Sequence, residues 1–211
     1  MPQVNLDRQT VVRAALRLLD KVGFDALTVR KLAGELGVKA PALYWHFKNK
    51  EELLDEMATT IFLDAIGDSG WPGAEANWPE WTEQFGKRLR EVLLRYRDGA
   101  RIFSGRYLTD VSFYENMETS LRKLTDAGFS LRNATQGLNT VYCYAIGFAI
   151  EEQAVYPRPG KRRRRYELAE RAKRVDRKKF PLAAAAGEHT FADFDKHFEQ
   201  GLRLIVKGMR P

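Results

Sequence analysis

From Lys39 to Lys50 the chain reads KAPALYWHFKNK, and the residue types in that stretch can do one kind of chemistry well. Tyr44, Trp45 and His46 supply ring faces and hydrogen-bonding edges. Lys48, Asn49 and Lys50 follow with positive charge and an amide. An aromatic, hydrogen-bonding and cationic set on one short element suits phosphate oxygens and groove edges better than a core. Catalytic chemistry has little to stand on. The three histidines, His46, His189 and His197, lie far apart, and no Cys, Asp or Glu of metal-ligand spacing surrounds them. There is no phosphate loop, nucleophile elbow or paired-carboxylate signature. No enzyme, metal site or cofactor is expected.

The elements that must position this stretch can be read around it. Thr28 is a good N-cap, and Leu32, Ala33 and Leu36 share one face of the short helix it opens. Gly37 supplies a sharp turn through positive φ. Ala40-Pro41 restarts the chain as a second helix, with proline where a missing N–H costs nothing. Two short helices around a glycine turn make a helix-turn-helix, whose second helix enters the major groove of DNA. Ahead of it, Asp7 should cap a first helix running to about Val22, with Gly23 as its stop and Val12, Ala15, Leu16 and Leu19 as its buried stripe. A fourth helix reads from Lys50 through Leu53, Leu54, Met57, Ile61 and Ile66. The expected division is a DNA-binding unit over residues 1–50, helix four connecting over 50–66, and a body over 67–211.

The 211 residues allow a substantial core, and 30 % charged with 44 % hydrophobic residues describes an ordinary globular chain. No apolar run approaches the roughly 18 residues of a membrane span, and MPQVNLDRQT lacks the apolar stretch of a signal peptide. A cytoplasmic protein with no membrane partner is expected. Cys143 has no second cysteine to pair with and should serve as packing. The net charge of +7 is unevenly spread. Residues 1–50 hold nine lysines and arginines against four carboxylates, and residues 158–179 hold twelve against three, so the remainder is acidic. A basic amino-terminal unit on an acidic body fits a protein that touches DNA with one end.

The body reads as helical throughout. Residues 68–77, DSGWPGAEAN, form a loop by composition. A long helix follows with Trp78, Trp81, Phe85, Leu89, Val92, Leu93 and Tyr96 on one face, broken at Arg97-Asp98-Gly99. After a short segment comes a helix over about Asp110–Ala127, presenting Phe113, Met117, Leu121 and Leu124 and ending at Gly128. Leu131–Val155 is the most apolar helix, apolar on more than one face, so it is either central or half-buried in a partner. Pro157 and Pro159 close it. Residues 161–179 are strongly basic and possess helical character from Tyr166. Arg162–Arg165 reads either as a solvated loop or as a supplementary phosphate contact. The last helix spans about Phe191 to Met209, with Phe191, Phe194, Phe198, Leu202, Ile205 and Met209 at spacings of three and four. With no convincing strand and no repeat, the fold class is all-α.

From Leu27 to Leu54 the order of residues, down to the LYWH and KNK strings, closely resembles the tetracycline repressor (TetR) family. Carried over residue by residue, that resemblance implies that Arg30 contacts a base, since arginine reads guanine bidentately. It implies that Pro41, Tyr44, Trp45, His46 and Lys50 contact backbone or groove wall, with Lys39 and Lys48 beside them. Ala40 and Ala42 stand where tetracycline repressors use polar residues, which implies a different operator. The strings RDGA at Arg97–Ala100, GFSLRNA at Gly128–Ala134, EEQ at Glu151–Gln153 and FPL at Phe180–Leu182 extend the likeness into the body. By resemblance, that body binds a ligand and dimerises through its eighth and last helices, and Leu138 and Leu202 are candidates for facing the partner.

The ligand positions depart from the family pattern. Phe103 stands at the metal-binding histidine, Ile66 at a drug-contacting histidine and Phe85 at a drug-contacting asparagine, while Glu151 remains. One carboxylate without its imidazole makes a poor Mg²⁺ site, so tetracycline–Mg²⁺ is not the expected effector. The expected pocket gathers Ile66, Phe85, Leu89, Phe103, Phe113, Met117, Leu121, Tyr142 and Phe148, with Tyr142, Asn116 and Glu151 as its polar groups. Such lining suits a small, flat, hydrophobic or aromatic effector. The reading is a homodimeric, ligand-responsive repressor on a palindromic double-stranded DNA operator. An activator of the same fold and a nonspecific DNA-binding protein are the alternatives; operator placement decides the first, and a salt-dependent affinity without sequence preference would mark the second.

Overall fold

The computed structural model of the chain describes residues 6–67, 72–73, 75–158, 160–190 and 192–211, apart from the Glu188 side chain. Within them lie eleven α-helices, and the sole strand-like pairing is an isolated bridge between Arg158 and Lys161. Helix α1 spans Arg8–Val22, opened by the Asp7 carboxylate accepting from the Thr10 N–H and closed at Gly23, whose φ of 82° suits glycine. Helix α2 spans Val29–Glu35 with Thr28 as its cap. Helix α3 covers Ala40–Leu43, and Gly37 between them takes φ 68°. Helix α4, Lys50–Gly67, starts where the Asn49 side chain accepts from the Glu52 N–H at 2.9 Å. Leu19, Leu32, Leu43, Phe47, Leu54 and Met57 close a common core beneath these four helices.

In the body, α5 is Trp78–Arg95, α6 Gly99–Phe103, α7 Ser112–Thr125 and α8 Leu131–Val155. Helices α9, α10 and α11 follow at Leu168–Ala172, Pro181–Thr190 and Phe194–Gly208. Helix α5 packs along α8, α11 lies against both, and α4 reaches from the amino-terminal core to α5 and α6. The break at Arg97-Asp98-Gly99 restarts at once as α6, which takes up most of the short segment expected there. Asp98 adopts φ 55°, which turns the chain. A Cβ on Gly99 would collide with the Leu93 carbonyl oxygen, so the tight reversal depends on glycine. Gln153 of α8, 3 % exposed, locks this reversal by donating to the Leu93 and Tyr96 carbonyls at 3.1 and 2.8 Å and accepting from the Ala100 N–H at 3.2 Å.

Several expectations need adjustment. The alanine-rich segment after Phe180 is the helix α10. The last helix begins at Phe194; Phe191, proposed as its start, lies outside the described residues, as do Asp68–Trp71, Ala74 and Pro159. Cys143, expected to pack, is exposed because it falls on the outward stripe of α8 with Gln136, Thr140 and Gly147. Leu202 is fully buried and sits against Gly86 and Val141 of its own chain, so it does not face a partner. Leu138 packs half-buried beside Trp81 and Leu124.

Candidate nucleic-acid interface and effector region

Leu43 and Phe47, four apart, are both buried, and they fix the orientation of everything between them. Between those anchors the chain turns Tyr44 and Trp45 outward, Trp45 to 90 % exposure. An indole left almost wholly in water forgoes its burial stabilisation of about 1.5–3 kcal/mol, which marks a surface awaiting a partner. Arg30, Lys39, Pro41 and Lys48 are exposed on the same unit. Ala40, Ala42, His46 and Lys50 are half-buried, so the two alanines offer a groove only part of their methyl surface. Asn49, grouped with the flanking lysines by sequence, serves instead as the cap of α4.

One positioning residue carried no signal in the sequence. Arg8 of α1 donates to the His46 carbonyl at 2.7 Å and to Glu52 and Glu56 at 2.8 Å each, with its guanidinium 4.7 Å from the Phe47 ring centre. Glu52 in turn accepts from the Lys48 N–H at 2.7 Å. That backbone hydrogen bond, then Arg8, holds the Glu52 carboxyl below its usual range. The end of the reading helix is thereby tied to α1 and α4.

A second polar set joins this unit to the body. Arg13 grips Asp64 at 2.6 Å, and the Tyr96 hydroxyl donates to the same carboxylate. Burial, then that bond to Asp64, pushes the Tyr96 phenol up to about 12. The Arg97 N–H donates to Asp20 at 2.8 Å, the Phe24 N–H to Asp98 at 2.9 Å, and Arg101 to Asp25 at 2.8 Å. The α5–α6 reversal thus grips α1 and the turn after it.

The residues expected to line an effector pocket fall into two groups. Phe103 lies 6.3 Å from Tyr142, and Phe113 of α7 meets Phe62 of α4 at 5.9 Å, centre to centre. Phe85 and Leu121 pack with the Trp81 cluster, Leu89 is buried, Ile66 is half-buried, and Met117 is 44 % exposed. The Asn116 amide is engaged with the Ser112 carbonyl at 2.7 Å. Phe148 and Glu151 are not with them. Phe148 packs on Phe198 and Phe194 at 5.1 and 5.9 Å, and Glu151 is exposed beside it. The helical repeat explains the split, since nine residues at about 100° each place Glu151 opposite Tyr142. The inward carboxylate of that string is the half-buried Glu152, paired with Arg90 at 2.7 and 2.8 Å. Among the described residues no group of three or more His, Cys, Asp or Glu could hold a metal ion, and no helix is long and apolar enough to cross a membrane.

An outward-facing reading helix on a small helical unit, joined through one long helix to a larger helical body, is the architecture of a DNA-binding transcriptional regulator. The comparisons agree. The family described as "Bacterial regulatory proteins, tetR family" matches residues 11–57, and "Tetracyclin repressor-like, C-terminal domain" matches residues 71–211. The chain belongs to the TetR family, whose members are regulators and not enzymes. It is similar to the tetracycline repressor protein class A from transposon 1721 of Escherichia coli, 40 % identical over 204 residues, which are 97 % of this chain and 90 % of that one. A possible TetR family regulator from Streptomyces coelicolor A3(2) superposes with a TM-score of 0.84 at 35 % identity, covering 97 % and 98 % of the two chains. ActR of Streptomyces coelicolor, solved in complex with (S)-DNPA, gives 0.77 at 27 % identity over 98 % of each. Repression relieved by a ligand, and action as a dimer, are properties of this family.

Proposed function

We propose that this chain is a cytoplasmic homodimeric repressor that reads a palindromic operator through α2 and α3 and is released by a small, largely apolar effector without a metal. The observation that carries the DNA half is Trp45, 90 % exposed between two buried anchors. Arg30 takes a base edge, while Lys39, Pro41, Tyr44, Trp45, His46, Lys48 and Lys50 take backbone and groove wall. Ala40 and Ala42 offer methyl surface to thymine and no hydrogen bond, which sets the operator apart from that of the tetracycline repressors. The test is selection of duplexes from a random pool, followed by binding of Arg30→Ala and Lys50→Ala. The first should lose about 1–3 kcal/mol and relax one position, and the second should weaken all sequences alike with a flatter salt slope. Normal binding by both refutes the docking.

The dimer is assigned to the outward faces of α8 and α11, where Leu204 stands 73 % exposed. A groove of about 440 Å³ runs beside it, lined by Gln136, Thr140, Leu204 and Gly208. A partner's matching helices would fill it, as an isologous interface requires. The effector is assigned to the region of Ile66, Phe85, Phe103, Phe113, Met117 and Tyr142, together with Leu89 and Leu121. Aromatic and aliphatic side chains replace the polar drug contacts of the resembling proteins, which favours a flat apolar molecule. Thermal shift and operator release across a panel of hydrophobic compounds, with Mg²⁺ or EDTA, test it. Release by tetracycline that EDTA abolishes would overturn the assignment.

A further inference from the structure

We propose that the basic segment after α8 is a second DNA contact, whose arginines take backbone phosphates of the duplex flanking the operator. The proposal rests on the reading of α2 and α3 as the primary DNA interface. Between Arg158 and Lys179 stand twelve lysines and arginines against three carboxylates. Two of the three are already occupied. Glu170 is shared by Lys173 at 2.9 Å and Arg164 at 3.7 Å, and Asp176 accepts from the backbone N–H groups of Lys178 and Lys179 at 2.9 and 3.3 Å. A surplus of like charge destabilises a compact chain by self-repulsion, and an anionic partner relieves it.

The placement of the segment selects the partner. The Arg158–Lys161 bridge and an Arg163 N–H bond to the Val155 carbonyl at 2.8 Å fold the chain back against the end of α8. There the Arg158 guanidinium donates to the Asp20 carbonyl of α1. The segment therefore starts beside the DNA-binding unit, not at the far end of the body. Asp25, in the turn between α1 and α2, marks where the two basic surfaces meet. Its carboxyl is held below the usual range first by Arg101, with smaller pulls from Arg163 and Lys50. Lys161, Arg164 and Arg165, close to Arg163 along the chain, are exposed, and Arg165 lies over the Tyr166 ring at 5.2 Å. Guanidinium groups match phosphate oxygens bidentately. A dimer presents two such segments, one for each flank.

The test compares wild type with Arg163→Gln/Arg164→Gln/Arg165→Gln on duplexes that wild type selects from a random pool. Each duplex is used at its protected core length and extended by about ten base pairs, one helical turn, on both sides. Wild type should bind the extended duplex more tightly, with a log–log salt slope steeper by about 1.8 for one phosphate per protomer, so that the advantage shrinks about twelvefold between about 50 and 200 mM salt. The variant should match wild type on the core and gain nothing from the flanks, with an unchanged melting temperature. Equal length dependence in both proteins, or none in wild type, overturns the proposal. So does retention of wild type on phosphatidylserine–phosphatidylcholine vesicles without any effect of flank length, which would make the surface a membrane one. Failure to select any duplex removes the primary DNA reading as well, and is distinguishable for that reason.

Discussion

Replacing Arg90 with methionine should destabilise the body by about 3–5 kcal/mol, the cost of leaving a buried charge without its partner. Exposure decides the magnitude. Arg90 is 9 % exposed, and the Glu152 side chain that it grips is 13 % exposed. Asp195 also meets Arg90, at 2.8 Å, but its side chain is 91 % exposed. Water can replace the partner there, and such pairs contribute only about 0.2–1 kcal/mol. The Phe198 and Phe148 ring centres lie 5.0 and 5.6 Å from the guanidinium carbon, so an unbranched apolar side chain keeps that packing and isolates the loss of charge. Glu152→Leu leaves Arg90 only its pair with the exposed Asp195, so its loss should be the smaller of the two. Arg90→Met with Glu152→Leu removes both charges and should return to within about 1 kcal/mol of wild type or exceed it. For a chain of this size about 1 kcal/mol moves Tm by roughly 2–4 °C, so Arg90→Met should melt roughly 6–20 °C lower, and Glu152→Leu should fall by less. The assay is thermal melting at one fixed protein concentration, because dimer dissociation makes Tm concentration-dependent, with Asp195→Asn as the surface control. Simple addition of the two single losses in the double variant, or an Asp195→Asn loss as large as that of Arg90→Met, refutes the reasoning.

Gln153→Ala strips this partner from the Leu93 carbonyl and the Ala100 N–H, while the Tyr96 carbonyl keeps the Gly99 N–H, and at about 1–3 kcal/mol for each stranded buried group it should cost at least about 2 kcal/mol; a melting temperature within error of wild type would contradict that. Tyr96, raised from 10.0 to about 12 in the fold, favours the native state fully below about pH 10 and progressively less as pH climbs towards 12. Wild type should therefore lose stability faster than Tyr96→Phe over that window, and parallel curves would exclude the effect. Leu204→Glu should yield folded monomers that bind DNA poorly, whereas Leu202→Glu should unfold the protomer. Sedimentation with circular dichroism separates the two, and a dimeric Leu204→Glu would remove α11 from the interface.

The DNA-binding unit was legible because its signals are local. Asp7 and Thr28 cap the next turn, Gly23 and Gly37 take positive φ, and Pro41 stands where no N–H is needed, all within a few residues of the element they define. The body's helices were legible for a related reason, since apolar spacing of three and four marks each. What stayed hidden was pairing across the chain. Arg8 meets His46 and Glu52, and Arg90 meets Glu152, through contacts 38 or more residues apart, and a charged side chain looks alike in sequence whether buried or solvated. The EEQ string shows the cost of that blindness. Glu151 is the exposed member of the string, whereas Glu152 is half-buried and Gln153 buried. Glu151 and Tyr142 were both expected in one pocket, yet a helix turns them to opposite sides.

The junction between unit and body suggests how an event in one reaches the other. Asp64 of α4 is held from both sides, by Arg13 of α1 and by Tyr96 of the body. The Asp20, Asp98 and Asp25 contacts repeat the pattern at the α5–α6 reversal. Phe103, assigned to the effector, ends α6 only a few residues from that grip. A molecule that displaces Phe103 must move α6, and with it the contacts that set α1 and α4. The Arg101–Asp25 pair is exposed at Asp25 and holds weakly, while the hydrogen bonds add about 0.5–1.5 kcal/mol each. Exchanging two or three of them lies within the 1–3 kcal/mol typical of coupling between sites. The face of α4 against α5 and α6 belongs to the continuous apolar core, whereas the contacts of α1 and its following turn with the α5–α6 reversal are polar; these can open and re-form within the differential affinity of one effector while the apolar face stays packed.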